Sequence, residues 1–107
     1  MIGNYFKKWF YRKKHTVKDG HILSTVILMV VTERIRQKKL WGEQDHDAPF
    51  WLSILGEEFG EVCRAVYEGK TDEYVTELVH VAAVAVQMIE CELRRGYGKG
   101  KCEEAAG

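Results

Sequence analysis

The chain has 107 residues, 46% of them apolar and 30% charged, with a formal net charge of zero. That length supports one domain with one core, and the neutral balance excludes steering onto nucleic acid by overall charge. The apolar run Val26 to Val31 is six residues long and is soon followed by Glu33, Arg34 and Arg36, so no membrane span is predicted.

Residues 1–20 mix Tyr5, Phe6, Trp9, Phe10 and Tyr11 with Lys7, Lys8, Arg12, Lys13, Lys14 and Lys18. The stretch lacks the long apolar core of a secretory signal. It reads as a short arm or helix whose aromatics dock on the body or on a partner subunit. Contact with a nucleic-acid strand through phosphates and stacking is the lesser reading, since no binding motif accompanies the cluster.

Asp19-Gly20 marks a turn, and Ser24 or Thr25 is a candidate cap for the first helix, predicted from Ile22 to Leu40. Apolar residues at 23, 26, 27, 30, 31 and 35 trace one broad face, with Leu28 and Met29 on the other side. A helix apolar on more than one side in so small a domain predicts a subunit interface. Its second half, Glu33 to Lys39, is polar and basic.

Gly42 is expected to end this helix, and Asp47 and Pro49 to start the next. The second helix, from Pro49 to Glu68, carries Leu52, Leu55, Phe59, Val62 and Val66 as its apolar stripe. Core packing is predicted for Trp41 and Trp51. Gly69-Lys70 breaks the pattern, and a third helix runs from Asp72 to Arg95, favoured at its start by Asp72 and Glu73. Its middle, Val79 to Val86, is small and apolar apart from His80, as for a helix buried between neighbours. Gly96-Tyr97-Gly98-Lys99-Gly100 is expected to stop it, leaving 97–107 as a flexible tail. With no strand pattern, the expected fold is all-α. It is a compact bundle of three long helices over 21–96 plus the arm, completed by dimerisation.

Cys63, Cys91 and Cys102 are odd in number and show no metal-binding spacing. Cys63 and Cys91 fall in helical patterns as small buried or half-buried residues. A reducing cytoplasm is the compartment this implies.

The chemistry concentrates between Glu57 and His80. Glu57, Glu58 and Glu61 fall within about one third of a helix circumference at roughly 100° per residue. Glu77 and His80 share a face of the next helix, with Glu73 one turn earlier. If the two helices pack antiparallel, these carboxylates converge in one acidic pocket. Converging carboxylates repel unless protonated or bridged, and hard oxygen ligands suit Mg²⁺ or Mn²⁺. The blander alternative is a solvated acidic face paired with Arg64 or Lys70.

The spacing Glu57-Glu58-x-x-Glu61, then fifteen residues, then Glu77-x-x-His80 resembles the MazG-like branch of the all-α nucleoside triphosphate pyrophosphohydrolases. The likeness extends through Glu33-Arg34-x-Arg36-Gln37, Trp41-Gly42-Glu43-Gln44-x-His46, Trp51-Leu52-x-Ile54-Leu55 and Glu77-Leu78-Val79-x-Val81-Ala82-Ala83-Val84-Ala85 to compact, phage-type members. It covers about residues 25–95. The resemblance implies cleavage of a (deoxy)nucleoside triphosphate to the monophosphate and pyrophosphate with Mg²⁺, or alternatively Mn²⁺. Carried over by position, Glu58, Glu61 and Glu77 are metal ligands, His80 fills the fourth ligand position, and Glu57 is a further ligand or a water-orienting base. Arg34, Arg36, Lys38 and Lys39 are phosphate-binding candidates, Trp41 a base-stacking one, and Gln44 or His46 readers of a base edge. A homodimer or homotetramer is implied, with no membrane partner. His80 departs from the pattern, which has aspartate there. That leaves three explanations: another metal, completion by Glu73 or a second subunit, or a weakened, merely nucleotide-binding site. As a lone helical histidine, His80 is also read as a hydrogen-bonding group between helices.

Overall fold

A computed structural model describes residues 21–99. The basic aromatic arm of 1–20 and residues beyond 99 lie outside the described residues. Three helices follow in order: α1 Ile22–Trp41, α2 Ala48–Tyr67 and α3 Thr71–Lys99. No strand occurs among the described residues, as the sequence pattern predicts.

Helix α3, with 29 residues, is the spine, and α1 and α2 pack on it without packing on each other. Met29 meets Val79, and Arg34 reaches Glu90, so α1 runs parallel to α3. The short turn at 68–70 folds α2 back antiparallel, setting Trp51 against Val84 and Cys91. The result is a V-shaped cleft with α1 and α2 as walls and α3 as floor.

Local signals account for the helix ends. The Asp47 carboxylate accepts a hydrogen bond from the Phe50 N–H at 3.1 Å, and proline opens the first turn of α2. Gly42 closes α1 at φ +70°, its N–H bonded to the Lys38 carbonyl, and Gly69 sits at φ +69° in the second turn. The expected cap at Ser24 or Thr25 is not the one found. Helix α1 begins at Ile22, as predicted, with His21 at the cap position, and both hydroxyls bond back to the His21 carbonyl. Nor does Gly96 stop α3, which continues to Lys99. A glycine inside an established helix costs about 1 kcal/mol, which weakens the helix without ending it.

The inward stripes differ in part from those predicted. On α2 the inward positions are Trp51, Ile54, Leu55, Glu58, Val62 and Ala65, while Leu52, Phe59 and Val66 face out. On α1 the buried residues are Met29, Glu33 and Gln37, while Leu23, Val26, Ile27, Val31 and Ile35 are exposed. Among the described residues each of these helices packs on α3 alone, and one of its two apolar faces is left outside. Trp51 is 2% exposed, as expected of a core residue, but Trp41 is 56% exposed and not part of the core. Cys91 is buried, whereas Cys63 is exposed rather than half-buried.

Helix α3 is long and apolar enough between 71 and 96 to cross a membrane by length and composition alone. The core helix of a bundle passes the same test. Here that segment is flanked by α1 and α2, and it sets Glu77, His80 and Gln87 into the cleft.

Candidate metal centre

All three inward stripes carry an ionisable group at the same level of the cleft. Glu58 occupies a core position of the α2 stripe, seven residues after Trp51 and four before Val62. Glu61 follows one turn later. Glu77 and His80 flank Val79 on α3, and Glu33 lies four residues after Met29 on α1. The antiparallel pairing of α2 and α3 thus does what the spacing predicted. One ligand atom each from Glu58, Glu61, Glu77 and His80 lie within 4.8 Å of one another.

His80 lies at the middle of this cluster, its side chain 12% exposed. Its Nδ1 is 3.1 Å from Glu77 Oε2 and 3.7 Å from Glu58 Oε2, and its Nε2 is 3.9 Å from Glu33 Oε2. The ring therefore bridges α1 to the α2–α3 acids. The hydrogen bond to Glu77 lies within α3, and the approaches to Glu58 on α2 and Glu33 on α1 are ion-pair distances longer than a hydrogen bond, so these contacts place His80 in the cluster rather than in the expected hydrogen bond between helices.

Electrostatics show the strain of gathering these acids. Burial pushes the Glu58 carboxyl above the ordinary carboxylate value, and Glu61, Glu57 and Glu33 add to the rise against the opposing pull of His80. Glu61 is raised chiefly by its hydrogen bond to Glu77, with partial burial and the Glu77 charge contributing. Two carboxyls so close repel unless a proton or a cation lies between them. Oε2 of Glu58 is buried and accepts no hydrogen bond.

The donor set fits a divalent ion. Oxygen ligands at about 2.0–2.1 Å put opposite donors roughly 4.2 Å apart around a six-coordinate cation, and larger ions spread them further. A 4.8 Å spread needs only small side-chain adjustment to reach that. Three carboxylates supply the charge, and one imidazole supplies a borderline donor.

The centre opens into a cleft of about 900 Å³, which is ample for a nucleotide-sized ligand. Glu57 and Glu73 line it beside the cluster, and Glu73 also pairs with Lys70 at 3.9 Å. Trp51, Ile54 and Val84 supply an apolar flank, and Trp41 and Gln44 lie on the α1 side. Among the predicted phosphate-binding residues, Arg36 lines the cleft. Its Nε and Nη2 donate to the two oxygens of Glu33 at 2.9 and 3.1 Å, and its guanidinium lies 5.9 Å from the Trp41 ring centre.

Arg34, Lys38 and Lys39 do not line the cleft. Arg34 is committed to Glu90 at 2.7 Å and to Gln37, and Lys38 and Lys39 point to solvent. His46 also lies outside the lining, its ring packed on Phe50 and Trp51. The end of α3 holds that loop in place. Arg95 donates to the His46 carbonyl at 2.8 Å, and Arg94 donates to the Gln44 carbonyl and the Asp45 carboxylate at 3.2 and 3.0 Å. The Arg94 hydrogen bond holds the Asp45 carboxyl below its ordinary value.

Sequence reading assigned no role to Glu33, Gln37 or Gln87, all of which line the cleft. Glu33 is 1% exposed, held by Arg36 and by Gln37 Nε2 at 3.0 Å. The available signal was the spacing Glu33-x-x-Arg36-Gln37, which places all three on one face opposite the exposed apolar one.

Comparison with family models, with characterised proteins and with solved structures gives no match.

Proposed function

We propose that this chain is a divalent-metal-dependent nucleoside triphosphate pyrophosphohydrolase, cleaving a (deoxy)nucleoside triphosphate to the monophosphate and pyrophosphate. The observation that carries the reading is the convergence of Glu58, Glu61, Glu77 and His80 within 4.8 Å beside a nucleotide-sized cleft. The resemblance of the same residues to the MazG-like motif set supports it.

Glu58, Glu61, Glu77 and His80 would hold the cation, Mg²⁺ or Mn²⁺. When bound, it supplies charge neutralisation at the phosphate oxygens and acidifies the attacking water. Glu57, beside the cluster and more exposed, would orient that water and take its proton. Arg36 is fixed in position by Glu33 and presents its remaining N–H groups to a phosphate oxygen. Trp41 offers an aromatic face to a base, and Gln44 an amide to its edge. The exposed apolar faces of α1 and α2 fit assembly as a homodimer, with a homotetramer as two such pairs. The exposed Cys63 thiol suits a reducing cytoplasm.

His80 favours one second reading, a nucleotide-binding module of the same fold with little turnover, because imidazole is a poor Mg²⁺ ligand. Incubation with each NTP and dNTP plus Mg²⁺ or Mn²⁺, followed by pyrophosphate detection, separates the two. Turnover is expected with at least one nucleotide. It should fall by roughly a hundredfold or more in Glu57→Gln and be lost in Glu58→Gln. If no nucleotide turns over with either metal, and Glu58→Gln leaves nucleotide binding unchanged, the enzyme reading is wrong.

A further inference from the structure

Glu33 stands behind His80 on the side away from the other acids. It is buried at 1% exposure, yet its carboxylate is not among the four groups that converge. Arg36 grips both of its oxygens and Gln37 donates a third hydrogen bond, so its orientation is fixed from α1 alone. Oε2 faces His80 Nε2 at 3.9 Å, while the opposite ring nitrogen, Nδ1, faces Glu77 and Glu58 at 3.1 and 3.7 Å. A carboxylate on one imidazole nitrogen and ligand oxygens around the other is the arrangement that fixes a metal-binding histidine. At 3.9 Å the Glu33 charge is an ion-pair contact rather than a hydrogen bond, and it favours a hydrogen on the near nitrogen, which leaves the far nitrogen's lone pair for the ion.

We propose that Glu33 orients His80 as a nitrogen ligand through Nδ1, and that the centre thereby selects an imidazole-accepting ion such as Mn²⁺ over Mg²⁺. This rests on the metal centre of the preceding reading and deepens it. The logic is that of donor softness. Three carboxylates alone would accept Mg²⁺, but an imidazole held in the fourth position penalises an ion that demands oxygen and favours one that accepts nitrogen. Glu33 is a positioning residue, since its carboxylate acts on the ion only through the ring.

The test is metal binding by the full-length protein, without nucleotide. Calorimetry with Mn²⁺ and with Mg²⁺ is expected to show Mn²⁺ bound at least about tenfold more tightly. Pulsed electron paramagnetic resonance of bound Mn²⁺ should show coupling to an imidazole nitrogen, lost in His80→Asp, with the Mn²⁺ preference shrinking in that variant. Glu33→Gln should weaken Mn²⁺ about 10- to 100-fold, and in the His80→Asp background it should change the affinity by less than about twofold. Glu33→Asp, which keeps the charge, serves the same comparison if Glu33→Gln does not fold by circular dichroism. Mn²⁺ bound without nitrogen coupling overturns His80 as a ligand, and with it this inference alone. An equal effect of the Glu33 substitution in both backgrounds overturns its positioning role. Failure of the wild-type protein to bind either ion overturns the metal centre itself.

Discussion

Glu58 shows how one residue can serve the site at the expense of the fold. It occupies an inward position of the α2 stripe between Trp51 and Val62, where an apolar side chain would pack without cost. Burial there, with Glu61, Glu57 and Glu33 nearby, raises its carboxyl above the ordinary value of 4.5. Because the folded-state value lies above the unfolded one, the folded protein binds the extra proton in the window between them. Metal-free stability attributable to this group is therefore greatest at low pH and is lost as pH rises through the raised value. Glu58→Gln imitates the protonated form at every pH. At neutral pH and without metal, the variant is expected to melt above the wild type, with the gap closing as pH falls toward 4.5. With saturating Mn²⁺ the order should reverse, since only the wild type retains the ligand. Thermal melts across pH, with and without metal, decide this; a metal-free variant melting below the wild type at neutral pH would refute it.

The acids of α2 and α3 were legible because their spacing alone fixes a shared face once the helices are antiparallel. Glu33 was not. The apolar positions of α1 pointed to a face that the structure leaves exposed, so its polar half looked like a solvated basic surface. Which of two apolar faces turns inward depends on what the helix packs against, and the local pattern does not contain that. Trp41 failed for a related reason, since a tryptophan at a helix end looks the same whether it meets a core or a cleft.

At the scale of elements, the α1–α2 connection controls how the cleft is walled. Gly42 turns the chain at φ +70°, ψ −166°, a backbone region in which side chains other than glycine are strained. A Cβ there would meet no atom within 4 Å, so the cost of Gly42→Ala is backbone strain rather than a clash. It is about 1–3 kcal/mol. Beyond Gly42 the loop is fixed by Arg94 and Arg95 at three points, so the chain cannot relax without moving Trp41 or breaking those bonds. The expected outcome is a lower melting temperature and weaker nucleotide binding. Mn²⁺ affinity should be retained, because the ligands sit on α2 and α3. Loss of metal affinity in this variant would mean that the loop supports the metal centre directly.

For the molecule as a whole, the imbalance is between what it buries and what it leaves out. Among the described residues the buried apolar groups include two small clusters, one of Met29 and Val79 and one of Trp51, Val84 and Cys91, with Val62, Ala65 and Ala83 buried beside them. Leu52, Phe59 and Val66 meanwhile form an exposed seam along α2 at seven-residue spacing, and α1 exposes Leu23, Ile27, Val31 and Ile35. A core this small supplies only a few kcal/mol, and contiguous apolar seams of this kind mark contact surfaces. Pairing two copies through these seams would bury them and complete the bundle that α1 and α2 leave open, provided roughly 1,200–2,000 Å² is removed from solvent. Sedimentation should then give twice the chain mass at micromolar concentration, and the melting temperature should rise with protein concentration. Phe59→Glu places a charge in the middle of the α2 seam without touching the metal ligands. It should shift the protein to monomer and lower its melting temperature while calorimetry still detects Mn²⁺ binding to the folded fraction. A wild-type protein that stays monomeric, with a melting temperature independent of concentration, would show that the seams serve some contact other than self-association.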